Sequence, residues 1–407
     1  MASSEDYENY GSSEVYALAA NKDVEGLIGV LKHNNHKHVV KRAIFALGEI
    51  KDNKAVGPLI EVGLKSELIT IRGASFRALG DIGNHEAVES LVYAMLKEKD
   101  ETGKIDAAQA LGKIKDSRAV KPLTMLMNGE KEKLYVREEI AGVLGEIASE
   151  EAVMSLIAAL DSNMTNLSEK ASLVLKQIGE PALGSLISAL DSESQTKRER
   201  VVTILGEIGD EKALQPLLSL LVNESEDEYF RGNYVAVALG KIKNTQAVEP
   251  LIELASKHIE DIVTCMSVRA LGDIGDSQAV EPLIAILEDR ETSKCSSLRL
   301  ETCWALGKIR DVRAIESLIR ILGGNRSNLA EVLQAAAASA LVQFDDDRIE
   351  LPLLKYYKGK LDSMISLETL AQDEKQGTLE GVVKLITRLI EKVEMCISRG
   401  HNGRILL

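Results

Sequence analysis

Three histidines lie close together in LKHNNHKHVV, as His33, His36 and His38. Imidazoles at such short spacing are of a zinc-binding type. Their setting between two expected helices reads first as a solvated polar loop. His85 with Glu86 is the only adjacent His-Glu pair, and one pair cannot assemble a two-metal centre. The four cysteines, Cys265, Cys295, Cys303 and Cys396, form no Cys-x-x-Cys pair and are too few for a disulfide scaffold, which fits a reducing, cytoplasmic setting. The chain has no phosphate-cradling loop, dinucleotide glycine fingerprint, nucleophile elbow or metalloprotease helix motif. No catalytic residue, cofactor or metal ligand is therefore assigned.

The elements that would position any site follow from composition and repetition. Of 407 residues 45% are hydrophobic but only 14 are aromatic, so the core must be built from Leu, Ile, Val and Ala, which suits closely packed helices. There is no 18-residue apolar run and no secretory signal pattern in MASSEDYENYGSSE. A net charge of -14 gives no footprint for a nucleic-acid backbone or an anionic membrane. The expected partner is a protein.

One phrase recurs in ten copies, among them ALGEIKDNKAVGPLI from Ala46, ALGKIKDSRAVKPLT from Ala110, ALGDIGDSQAVEPLI from Ala270 and a degenerate ALVQFDDDRIELPLL from Ala340. Measured at its Leu (Leu47, Leu79, Leu111, Leu144, Leu175, Leu205, Leu239, Leu271, Leu306, Leu341), the intervals run from 30 to 35 residues. Such a period marks a solenoid. Apolar residues three after the Leu (Ile50 to Ile309, then Phe344) and four and eight before it trace one helical stripe. Gly follows the Leu in eight copies; a helical Gly costs about 1 kcal/mol against Ala, so a neighbouring helix must come close there. Asp, Asn or Ser five past the Leu is expected to cap a second element. Six prolines (Pro58, Pro122, Pro216, Pro250, Pro282, Pro352) share one position more than a turn beyond that cap and are expected to kink it.

This pattern, with Tyr135 to Ile147 reading YVREEIAGVLGEI, resembles HEAT repeats of the phycocyanobilin-lyase-like type. The resemblance covers about residues 15 to 355. It implies an all-α superhelix, a HEAT-repeat solenoid of about ten helical hairpins plus a C-terminal helical segment. It says little about activity, because the repeat is reused as a binding scaffold. One HEAT-repeat enzyme family, deoxyhypusine hydroxylase, holds a di-iron centre through several His-Glu pairs, which the single His85-Glu86 pair does not supply. The lyase resemblance would imply a chromophore-handling subunit, with no residue pattern here that marks a bilin site. An adaptor in a signalling or motility complex is a further alternative.

The expected organisation is an acidic disordered tail over 1–14, a solenoid over 15–357 on the order of 100 Å long, and a helical segment over 358–407. In that last segment Val382, Ile386, Leu389, Val393 and Cys396 form an apolar face. It would cap the final repeat or pair with a partner or a second copy.

With the Leu pointing into the core, positions six, five and two before it and two after it face outward. If these helices line the concave side, as the resemblance implies, a ligand meets those columns. Most of their entries are of mixed charge. Pairs seven to nine instead bring Tyr234, Val237, Met266, Arg269, Leu300 and Trp304 there, while Phe45 stands alone in the first pair. Trp, Tyr, Met and Arg are enriched at protein interfaces, so these six residues are the expected protein-binding patch. The competing account is that they only fill space between adjacent helices.

Overall fold

The computed structural model describes residues 4–162, 164–257, 262–289, 296–323 and 328–368. They form helices and turns only, in the helical hairpins that the repeat implies. Contacts group the chain into two units, Met1–Ile204 and Leu205–Leu407.

Within each unit the same hairpin recurs. In the second pair a short 3-10 turn, Asn53–Ala55, leads into a first helix, Val56–Lys65, and a second helix, Ile69–Ile82, carries the ALG phrase. The reference Leu is at most 1% exposed in all ten copies. The Ile three residues later is less covered: Ile114 and Ile147 are buried, but Ile50, Ile82, Ile242 and Ile274 are only half-buried. They sit in the helix's last turn, at the rim of the stack.

The expected caps form. Asp52, Asn84, Asp116, Asp210, Asn244, Asp276, Asp311 and Asp346 each accept from the backbone N–H two residues on, at 2.8 to 3.0 Å, and Ser149 accepts from that of Ala152 at 3.3 Å. They open a 3-10 turn rather than the α-helix itself, Ser149 excepted. The α-helix starts three residues later, which places every one of the six prolines at its third residue. The first four N–H groups of an α-helix have no intrahelical partner, so these prolines cost no helical hydrogen bond. The irregularity expected at the proline is instead the separate 3-10 turn before it.

The glycine column acts as a seam. A Cβ built on Gly48, Gly80, Gly206, Gly240, Gly272 or Gly307 would come within 2.6 to 3.1 Å of the Cα of the Ala that precedes the next repeat's Leu. Glycine here lets backbone meet backbone. Where the next repeat carries Val143 or Val174 in place of that Ala, the close atom is a side chain instead: the Glu146 carboxylate for Gly112 and the Val174 methyl for Gly145.

Both ends are helical in the described residues. Residues 4–14 hold the helix Ser4–Glu8 and the start of Ser12–Ala20. Asn34 donates to the carbonyls of Tyr7 and Tyr10 at 2.8 and 2.9 Å, and the Tyr7 ring lies over Gly29, where a Cβ would come 2.5 Å from it. One ring and one buried amide thus anchor a stretch whose composition is that of a tail. At the other end the helix Glu350–Glu368 runs on through KYYKGK, across residues 357 and 358. Gly359 alone does not stop a helix, since its cost is about 1 kcal/mol. The stripe from Val382 to Cys396 lies outside the described residues.

Candidate protein-binding surface

Second helices pack side by side, and polar rungs join their outward faces. At some seams the residue two before one Leu meets the residue five before the next. In the first unit Arg77 contacts Asp106 at 2.6 Å; in the second, Arg269 makes a two-pronged contact with Glu301, Nε to Oε2 at 3.0 Å and Nη2 to Oε1. The columns two after the Leu pair as well, through Lys113 with Asp81, Lys241 with Glu207 and Lys308 with Asp273. The Asp-x-Arg turns form a third set: Arg118 and Arg313 grip their own caps, Asp116 and Asp311, and donate to the carbonyls of His85 and Ser277 one repeat earlier.

Each of the six residues expected to form the patch can now be placed, all of them in the second unit. Trp304 is 44% exposed. Tyr234, Val237, Met266 and Leu300 are half-buried. Val237 and Met266 occupy the same two columns as Arg269 and Glu301, so apolar types stand where the next seam has an ionic rung. Arg269 is exposed, but its guanidinium is committed to Glu301, which is itself mostly buried. Phe45 stands apart in the first unit, exposed, with Lys41 Nζ 5.9 Å above its ring.

Tyr234 sits in an unusual turn. The seventh second helix runs from Glu228 to Ile242 as an α-turn, a π-helical stretch Arg231–Ala236 and a closing α-segment. Its counterpart in the fourth pair, Leu134–Ile147, is α-helical throughout and one residue shorter. In the fourth, Arg137 lies seven residues before Leu144 and donates Nε to the Met127 carbonyl at 2.5 Å; in the seventh, Arg231 lies eight before Leu239 and donates Nη1 to the Leu221 carbonyl at 3.4 Å. Both arginines reach back ten residues to an equivalent carbonyl, so the π turn absorbs one inserted residue while the anchor and the Leu keep their places. Gly232, at its start, faces the backbone of Ile262 and Val263, where a Cβ would approach to 3.1 Å. The Tyr234 ring meets Tyr229 edge-on at 6.2 Å and Phe230 at 6.1 Å. Phe230 is buried and Tyr229 exposed, so a bulky pair of tyrosines marks this edge.

Trp304 lines a cleft of about 690 Å³ together with Gly272, Gly275, Gly307 and Ala340 and with the polar Lys243, Lys308, Arg310 and Gln343. Lys308 holds Asp273 at 2.5 Å, and Arg310 donates to the Gln343 amide oxygen at 2.9 Å. Among the described residues no carboxylate pairs with Lys243 or Arg310. Tyr229, Lys243 and Arg310 were missed in the sequence. The last two lie four residues past the Leu, in the left-handed region at φ 58° and 59°, a position that sequence columns treat as the end of the helix.

The other candidate groups have structural partners. His33 ends the helix Val24–His33 with its ring stacked 6.3 Å from Tyr7, and the His36 and His38 rings lie 5.9 Å apart. His85 Nδ1 contacts Asp116 at 2.7 Å. The Arg118 guanidinium, followed by the Arg118 backbone N–H and His85, holds the Asp116 carboxyl far below its usual range. No group of three His, Cys, Asp or Glu suited to a metal ion exists among the described residues. Burial pushes the Cys303 thiol up to about 12, which leaves it unreactive at neutral pH. No described helix is long and apolar enough to cross a membrane.

Residues 24–342 match the model for HEAT repeats in seven overlapping windows, and the chain belongs to the HEAT-repeat family. Among solved structures it is similar to the Kap95:Nup1 complex (14% identity, 92% of this chain and 57% of that one, TM-score 0.52) and to Kap121p bound to Pho4p (12%, 95% and 48%, TM-score 0.51). It thus spans about half the length of those two solenoids. Human deoxyhypusine hydroxylase matches over 65% of this chain and 98% of its own at 21% identity and a TM-score of 0.29. At these identities the likeness establishes the fold. Among curated proteins no sequence matches significantly.

Proposed function

We propose that this chain is a non-catalytic scaffold that binds another protein through the outward face of its second helices, at Tyr234, Val237, Met266, Arg269, Leu300 and Trp304, in a cytoplasmic setting. The observation that carries the reading is the half-exposed Trp304, the chain's only Trp, beside a cleft in the unit that also holds the π turn of Tyr234. A ring exposed to this degree is an unused anchor of the type that dominates interfaces. Arg269 serves by holding the rung with Glu301 that separates the two aromatic positions. Two similar solenoids are recorded with protein partners, Nup1 and Pho4p.

Iodide should quench Trp304 emission in the free protein, and emission typical of a fully buried indole would remove the anchor. Affinity capture from native cells should recover at least one protein that Trp304→Ala plus Tyr234→Ala loses. Equal recovery by both forms would exclude this surface.

The phycocyanobilin-lyase-like resemblance supplies a second reading, handling of a linear tetrapyrrole. The same cleft favours it, because an indole and cations suit a conjugated ring system with propionates. Addition of bilin should then shift its visible absorption.

A further inference from the structure

We infer that the Trp304 cleft takes an extended acidic peptide segment, with carboxylates at Lys243 and Arg310 and one bulky apolar side chain against the indole. The inference rests on the scaffold reading of the same face and names the chemistry of its partner.

Charge is the first argument. The chain carries -14 overall, and several of its arginines are held in internal rungs and caps, as with Arg118, Arg269, Arg313 and Arg348. Around this cleft three cations face one carboxylate, Asp273, which Lys308 neutralises. Lys243 and Arg310 are left to face the cleft with no carboxylate among the described residues, so it is locally positive on an acidic molecule. A lysine at this left-handed position also occurs as Lys51 and Lys115, and a cation after a helix C-terminus suits the helix dipole. Lys51 and Lys115 likewise stand two repeats apart; what this region adds is the indole of Trp304 lining the same cleft as the two cations.

Spacing is the second argument. Lys243 follows the seventh second helix and Arg310 the ninth. Neighbouring helices pack 8 to 10 Å apart, so the two positions are separated by roughly 16 to 20 Å. That is too far for both to close on one phosphate or one carboxylate. It matches about five to six residues of extended chain at some 3.3 Å each. The small residues Gly272, Gly275, Gly307 and Ala340 in the cleft lining leave room for a backbone to approach closely. Trp304, 44% exposed in the same lining, offers its ring to a side chain of that segment.

The variant that tests this can be made without harming the fold. Glycine accepts without strain the left-handed backbone that Lys243 and Arg310 adopt, so Lys243→Gly plus Arg310→Gly removes both charges while relieving the backbone. Its melting temperature should be equal to or above that of the wild type. A short Glu- and Asp-rich peptide carrying one Phe should shift Trp304 emission saturably in the full-length protein. The same peptide with Gln and Asn for its acids should not. The double glycine variant should bind the acidic peptide about tenfold more weakly, and added salt should weaken wild-type binding.

No saturable shift, an equal shift with the neutral peptide, or unchanged affinity in the double variant would each overturn the inference. Equal binding of single-stranded DNA would overturn the choice of a peptide in favour of a general polyanion surface. If the peptide fails while capture still depends on Trp304 and Tyr234, only this inference falls. If capture is indifferent to those two residues, the scaffold reading of the face falls with it.

Discussion

The fourth and seventh second helices solve one packing problem in two ways. Both anchor an arginine on the carbonyl ten residues back and both bury a reference Leu, Leu144 or Leu239. The fourth does so with an unbroken α-helix. The seventh holds one residue more and takes it up as a π turn, which carries Tyr234 beside Tyr229 and Phe230. Fixed ends with a variable middle show how a repeat can gain a distinctive surface without losing its place in the stack. Such single-turn π insertions are frequent at functional sites.

The seams test this comparison with the largest effect. Gly272→Val sets a branched side chain where even a Cβ comes 2.6 Å from the Ala305 Cα. It should cost about 3 kcal/mol in chemical denaturation. Gly112→Ala should cost under about 1 kcal/mol, because the close atom there is the end of the Glu146 side chain, which can swing away, and Ala favours the helix. Equal costs would mean that the Gly-Ala seam is not what sets helix spacing.

The anchors come next. Arg137→Ala strands the Met127 carbonyl and should destabilise by about 1 to 3 kcal/mol. Arg231→Ala, whose hydrogen bond is longer at 3.4 Å, should cost less. The reverse order would break the equivalence of the two arginines.

Removing Asn233 should return the seventh helix to the length of the fourth, with a change in stability within about 1 kcal/mol and loss of any Tyr234-dependent binding. A collapse of the fold would show that the π turn is structural.

The smallest effect is electrostatic. The Arg348 guanidinium, followed by the Arg348 backbone N–H, lowers the Asp346 carboxyl from 3.8 to about 2. A depressed folded pKa contributes stability above the unfolded value that is lost as pH falls through the folded one. Asp346→Asn should therefore flatten the melting temperature between about pH 4 and pH 2 slightly, while Ser149, a cap with no charge, should show no such dependence when replaced by Thr.

Much of the hairpin was legible in the sequence. The caps from Asp52 to Asp346, the buried Leu column and the close approach at Gly48 or Gly272 each rest on residue types at fixed local offsets. The packing of residues 4–14 was not legible, because composition does not encode one ring over Gly29. The site was legible in part. Trp304 and Tyr234 stood out by type, but the sequence treated Arg269 as an open contact and passed over Lys243 and Arg310.

Repetition alone therefore determined the all-α hairpins, their core and their seams, since each is a short-range rule stated ten times. Only the tertiary structure decided how an extra residue near Arg231 is absorbed, which is a choice between a longer loop and a wider helical turn with the same ends. It also decided that Arg269 closes on Glu301, 32 residues away, and that cations left over from such rungs gather around one indole. Those outcomes depend on which side chains meet across a seam, and no local spacing encodes that.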